Sequence, residues 1–279
     1  MGHAVFNFFV MKKLIRQYKA LIQTFLSLLN KPAGKLQQED IHQIRVCIKR
    51  LKAIHRFLYA LSPPRFKAMK KDCFHSLFST AGKVRELHVL RNTLIPYSAS
   101  GPSLEGFIMS LSKPEKECMR DFIKTRASFN ITVLDKRLQK LESGEKRWSQ
   151  KDLRKAGKLF IQKKVKKIPM LSNSYDDKKH LHRIRKSLKG LEPVLVLEQT
   201  IRPTDKLKET IKKMRLLNKL IGSWHDLVVL EHHLRLFIKQ QKAGSANSGL
   251  VLMCRQLAIE EALIIPVMNK QLKELLQRF

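Results

Sequence analysis

Asp40-Ile41-His42-Gln43-Ile44-Arg45-Val46-Cys47-Ile48-Lys49-Arg50-Leu51 returns in outline as His180-Leu181-His182-Arg183-Ile184-Arg185-Lys186-Ser187-Leu188-Lys189-Gly190-Leu191. His42 and His182, Arg45 and Arg185, Lys49 and Lys189 each stand 140 positions apart. A second pair keeps that offset without gaps: Gly82 to Leu94 lines up on Gly222 to Leu234. Two ungapped matches at one offset indicate a duplicated unit, and a repeat of this kind governs the fold reading before any single element does.

Both copies read as helix. In the first, the apolar residues Ile41, Ile44, Ile48, Leu51 and Leu58 recur at the spacing of one helix face. His42, Arg45, Lys49, Lys52 and Arg56 recur at steps of 3 and 4 on a neighbouring face, a row of ~21 Å at ~1.5 Å per residue. Like charges four residues apart destabilise a helix by ~0.2–0.5 kcal/mol per pair. An acid within the row would relieve that cost, and none is present. A solvated basic face is the ordinary reading of such a row, but its duplication argues for a binding surface.

Helical periodicity continues along the chain. It predicts helices at about 6–30, 39–61 and 65–94, the last broken or bent at Gly82, then a long helix at 114–142 started by Pro114. Ser143-Gly144 is the expected hinge. The second half repeats the order at 149–167, 176–198, 204–221, 223–241 and 248–278, with 243–249 as a flexible loop. The expected architecture is all-α: two pseudo-symmetric four-helix bundles, residues 1–143 and 144–279, together forming one domain. Gly82 and Gly222 are expected at helix breaks, which would put Glu86 and Asp226 in first turns, where a carboxylate suits the helix dipole. The functional alternative is that these carboxylates hold a cation of the row.

Fifty-six Lys and Arg face 23 Asp and Glu, a net charge of +33, while 43% of the chain is apolar. The apolar content is ample for a core, and the charge calls for a polyanionic partner. The first helices of the two halves add to it: Arg16 and Lys19 in one, Arg154 and Lys158 in the other. Arg85 and Arg91 extend the positive surface. Four cysteines at 47, 73, 118 and 254 form no C-x-x-C pair, so neither a zinc site nor a disulfide framework is expected and a reducing cytosol fits. The apolar stretch 1–11 lacks a basic leader and is too short to span a bilayer.

These elements resemble the CHAD family, the histidine-containing α-helical domain. Its first motif reads approximately H-x-x-R-V-x-x-[RK]-R-[LM]-[RK], and His42 to Lys52 matches it throughout. Leu181-His182-Arg183-Ile184-Arg185 with Leu188-Lys189-Gly190-Leu191 resembles its second. Gly82 to Val89 is similar to its G-x-x-R-D-x-D-V element, with Glu86 and His88 in place of two acids. Leu220 to Leu227 is similar to its L-G-x-x-x-D-L element, with one extra residue before Gly222. The resemblance implies a basic channel between two bundles that binds inorganic polyphosphate, with no catalysis and no cofactor. Carried over residue by residue, the site would comprise His42, Arg45, Lys49, Arg50, Lys52, His182, Arg185 and Lys189, and the helical row adds Arg56. Glu192 stands where a cation is expected, and Pro193 should interrupt the helix, so the second copy contributes less. The E-x-E-x-K signature of a partner phosphohydrolase domain is absent, which suggests a stand-alone binder. With the cytosolic reading of the cysteines, the resemblance gives a cytoplasmic location and association with polyphosphate granules as expectations.

Three rival readings remain at this stage. Non-specific nucleic-acid binding is the main alternative, since phosphate contacts dominate both cases; two Trp and four Tyr leave few stacking platforms for single strands. His225-Asp226 superficially resembles a metal-dependent phosphohydrolase pair, but its mate in the repeat is Arg85-Glu86, and arginine is not a metal ligand. Phe6, Phe8 and Phe9 followed by Lys12, Lys13 and Arg16 could dock on acidic lipid, although they fit the apolar side of a first helix better.

Overall fold

The computed structural model describes residues 2–97, 104–144, 148–166, 168, 178–241 and 248–279, with the side chains of 2–10, 150, 179 and 201 outside the description. The docking expectation for Phe6, Phe8 and Phe9 and most of the expected 243–249 loop therefore lie outside the described residues. Among those described there is no strand. The described residues form nine α-helices: α1 (Gly2–Leu29), α2 (Gln38–Leu61), α3 (His75–Leu94), α4 (Glu105–Ala127), α5 (Thr132–Glu142), α6 (Gln150–Val165), α7 (Lys178–Ile201), α8 (Asp205–Gln240) and α9 (Ser248–Leu276). The all-α expectation holds.

Local chemistry sets several boundaries. Asp40 accepts the Gln37 backbone N–H at 2.7 Å and pairs with Lys31, which pins the start of α2. Ser149 and Asp152 form a reciprocal capping box at α6. Thr204 Oγ1 accepts the Leu207 N–H at 3.2 Å to open α8.

Five helix expectations need correction. The long helix expected at 114–142 is two, α4 and α5, parted at residues 128–131. α3 begins at His75 rather than near Arg65, with a short 3-10 turn at Lys67–Lys70 before it. α3 runs through Gly82 and α8 runs through Gly222 without a break. An interior glycine costs a helix only ~1 kcal/mol relative to alanine, and buried leucines on both sides outweigh that. Glu86 and Asp226 therefore lie in helix interiors rather than in first turns. Pro193 sits inside a continuous α7, and Pro114 sits inside α4 rather than at a helix start. The buried residues Leu188, Leu191, Val194 and Leu195 hold α7 together across its proline.

The apolar residues form three cores. The expected α2 face, Ile41, Ile44, Ile48, Leu51 and Leu58, is fully buried in the first, against α1, α5, α6 and the start of α3. The second joins α7, the start of α8 and the end of α9 around Trp224. The third is shared: Leu87, Leu90 and Leu94 of α3 and Phe107 of α4 meet Leu227, Leu230 and Leu234 of α8 and Met253 of α9. So α3 and α8 each pass from one core into the shared one, at Leu87 and Leu227 of the repeated element.

Helix contacts repeat in register. α1 packs on α2 as α6 packs on α7; α2 meets α3 as α7 meets α8; α3 meets α4 as α8 meets α9. α2 also packs on its mate α7, and α3 on its mate α8. The pattern is compatible with duplication, and it places the two cationic rows against each other.

Candidate anion-binding site

Because α2 lies against α7, Arg45 and Lys49 of the first row meet Arg185 and Lys189 of the second. All four are half-buried. Arg185 acts electrostatically on Arg45 and Lys49, Lys189 feels all three of the others, and Arg85 of α3 joins in on Arg45. Among the described residues, none of the four has a carboxylate within 4.0 Å.

Arg45 is the best-anchored member. Its Nη1 donates to the Phe78 carbonyl at 2.7 Å, and its guanidinium lies 4.2 Å from the Phe78 ring centroid. It also covers Gly82: a Cβ there would stand 2.6 Å from Arg45 Nη1. The glycine read as a helix break is the seat for this side chain. Among the described residues, Gly222, its mate, has nothing within 4 Å of the same position, and Arg185 keeps a buried Nε without a partner. We expect Gly82→Ala to shift Arg45 and weaken polyanion binding by about tenfold, the loss of one charge-assisted contact, with helicity retained. Titration calorimetry beside circular dichroism checks this.

The electrostatics describe a site under repulsion. Burial, then Arg185 and Arg85, lower the pKa of Arg45 to about 10. Burial, then Arg45 and Arg185, lower that of Lys49. Lys189 is pushed down to about 7 by burial, Arg185 and Lys49. His42 is held below the usual imidazole range by burial and Arg85, and His182 by burial and Arg185. A phosphate oxygen placed here would favour the charged form of every one of them and so oppose this repulsion.

The other predicted residues distribute unevenly. Lys52 leaves the cluster to pair with Asp72 at 2.6 Å and lies 4.9 Å from the Phe78 ring. Arg56 is exposed further along α2, and Arg50 is exposed a ~100° step around the helix from Lys49. Arg91 is drawn to α4, where it donates to Glu115 at 2.9 Å and Ser112 at 3.2 Å. Arg16 and Lys19 of α1 and Arg154 and Lys158 of α6 are exposed, and Lys19 pairs with Glu142 at 2.6 Å. Glu86 stands 3.6 Å from His233 of α8 and its field favours the charged forms of Arg45 and Arg185. Asp226 does the same for Arg185 and Lys189. Neither carboxylate forms an ion pair with a cation of the rows, so they act through space.

Sequence reasoning missed Phe78 as the platform for Arg45 and Asp72 as the partner of Lys52. Both need the α2–α3 packing to be known. It also missed His225 of α8, whose ring lies 5.8 Å from that of His182. Glu192, the mate of Lys52, accepts from Asn218 at 2.7 Å and stands 3.5 Å from Arg215. The second row thus ends at Lys189. Among the described residues no group of three His, Cys, Asp or Glu side chains could hold a metal ion, and no helix is long and apolar enough to cross a membrane.

The model of the CHAD domain family matches residues 16–235, which include every member of the cluster. A crystal structure of the CHAD domain from the plant Ricinus communis superposes with a TM-score of 0.63, covering 97% of this chain and 91% of that one at 14% identity. No curated protein matches the sequence. On the family match over most of its length, together with the shared fold, this chain belongs to the CHAD domain family.

Proposed function

We propose that the α2–α7 cluster binds inorganic polyphosphate and performs no chemistry on it. One observation carries the reading: four half-buried cations from two helices face one another without carboxylate partners among the described residues. Burying unpaired charge costs several kcal/mol per ion, and a string of phosphates running between the helices would offset that cost at each. Charge-assisted bonds from guanidinium and ammonium groups are the natural contacts. Nucleic acid is the second reading, supported by the same charge. The recessed placement of the cluster favours a thin unbranched chain over a duplex, and Arg45 spends its own aromatic partner, Phe78, on itself.

Binding should take up protons. Lys189 titrates near 7 when the site is empty, and phosphate would raise it. Affinity is then full below pH 7 and falls as pH rises through the empty-site value. Between ~pH 6 and ~pH 8 this one group weakens binding about tenfold. His42 and His182 act in the same direction. Titrations at the two pH values should show that ratio in the wild type and a smaller one in Lys189→Arg. Equal affinities in the wild type would overturn the proposal.

A further inference from the structure

A second feature adjoins the cluster, beginning at Lys52, one turn beyond Lys49 on α2. The C-terminal half of α2, the turn at Lys67–Lys70 and α6 enclose a cleft of about 560 Å³, within the usual ~300–1,000 Å³ of small-ligand sites. Its floor is apolar, with Met69, Phe74 and Ala156. Two half-exposed rings, Tyr59 and Phe160, form its walls beside Leu159, which is 56% exposed. Six cations line it: Lys52, Arg56, Lys70, Lys71, Lys163 and Lys164. Asp72, engaged by Lys52, is the single acid. Lys70 lies 5.9 Å from the Tyr59 ring and Lys164 lies 5.9 Å from the Phe160 ring.

An inorganic phosphate chain has nothing to place against this wall. The cleft asks for a ligand with an apolar, flat body and a phosphate at its edge. We propose that it binds a nucleotide, the base against Tyr59 and Phe160 and the phosphates on the lysine rim. Base–aromatic stacking with neighbouring cations is the interaction such walls offer. An alkyl phosphate shares the polarity but not the use of two rings. The proposal can be tested apart from the polyphosphate reading, because none of Arg45, Lys49, Arg185 and Lys189 lines the cleft, although Lys52 and Arg56 carry the row of α2 into it.

The test titrates ATP, tripolyphosphate and decyl phosphate into the full chain. ATP should bind one to one and at least about tenfold more tightly than tripolyphosphate, a ratio within what one stacked base contributes. Leu159→Glu/Lys163→Glu alters two exposed wall positions. It should remove at least about tenfold of the ATP affinity and leave long-chain polyphosphate binding within about threefold. Tyr59→Ala provides the same reading should the double variant not fold. Lys49→Gln/Lys189→Gln should do the reverse. The proposal is overturned if ATP binds no better than tripolyphosphate. It is equally overturned if ATP binding is lost in the cluster variant and kept in the cleft variants, which would make ATP a mere polyanion. Binding of decyl phosphate in preference to ATP would overturn the proposal and assign the cleft to phosphates with alkyl chains.

Discussion

Polyphosphate affinity should fall at least ~100-fold between ~50 and ~200 mM salt. For a flexible polyanion the slope of log affinity on log salt is ~0.7 per neutralised phosphate. Arg45, Lys49, Arg85, Arg185 and Lys189 supply five contacts at pH 6, where Lys189 is protonated, and thus a slope of about −3.5. If the exposed cations Arg16, Arg154 and Lys158 extend the track, the slope steepens toward about −5.6. Lys49→Gln/Lys189→Gln should flatten it by about 1.4. Calorimetric or fluorescence titrations across the salt series read both numbers. A wild-type slope shallower than about −2 means fewer than three phosphates are held, which the cluster does not allow.

Replacing Lys189 by methionine should stabilise the empty protein while weakening polyphosphate binding. The folded state holds this ammonium at about 7, far below its ordinary value, by burial and by Arg185 and Lys49. A base with a depressed folded-state pKa destabilises the fold wherever it must be charged. The penalty is complete below pH 7 and is relieved as pH rises toward the ordinary lysine range. At pH 6 it is on the order of 3 kcal/mol after allowance for the part of the side chain that water screens. Methionine keeps the length and removes the charge, and replacing buried ions by apolar groups of similar size is often stabilising by ~1–4 kcal/mol. Thermal unfolding at pH 6 should therefore show Lys189→Met melting ~5–10 °C above the wild type without ligand. Saturating polyphosphate should narrow or invert that order, since the wild type gains more from binding. A lower melting temperature for the empty variant would show that the repulsion inferred for this site is absent.

How much of this was readable in the chain depends on the range of the interaction. α2 was placed to within a residue because its apolar 3-4 spacing and its acidic first turn are local signals. The opposed rows were foreshadowed by the repeat, since duplicated helices that pack on their mates bring equal faces together. Gly82 misled because a helical glycine can serve packing as well as breaking. Only the position of Arg45 over it tells the two apart, and that arginine lies 37 residues upstream. The shared third core was invisible for a related reason. Leucines at 87–94 and 227–234 look the same whether they face their own half or the other. Lys52 was read as part of the site because its row is regular, but Asp72, on the segment that enters α3, redirects it.

The most direct measurement is a competition between long-chain polyphosphate and duplex DNA for the protein at one fixed salt concentration, with wild type and Arg45→Glu/Lys49→Glu compared. The account predicts that polyphosphate displaces the duplex from the wild type, that the duplex fails to displace polyphosphate, and that the double charge reversal abolishes the advantage. Preferential retention of DNA by the wild type, or an unchanged polyphosphate affinity in the variant, would contradict it.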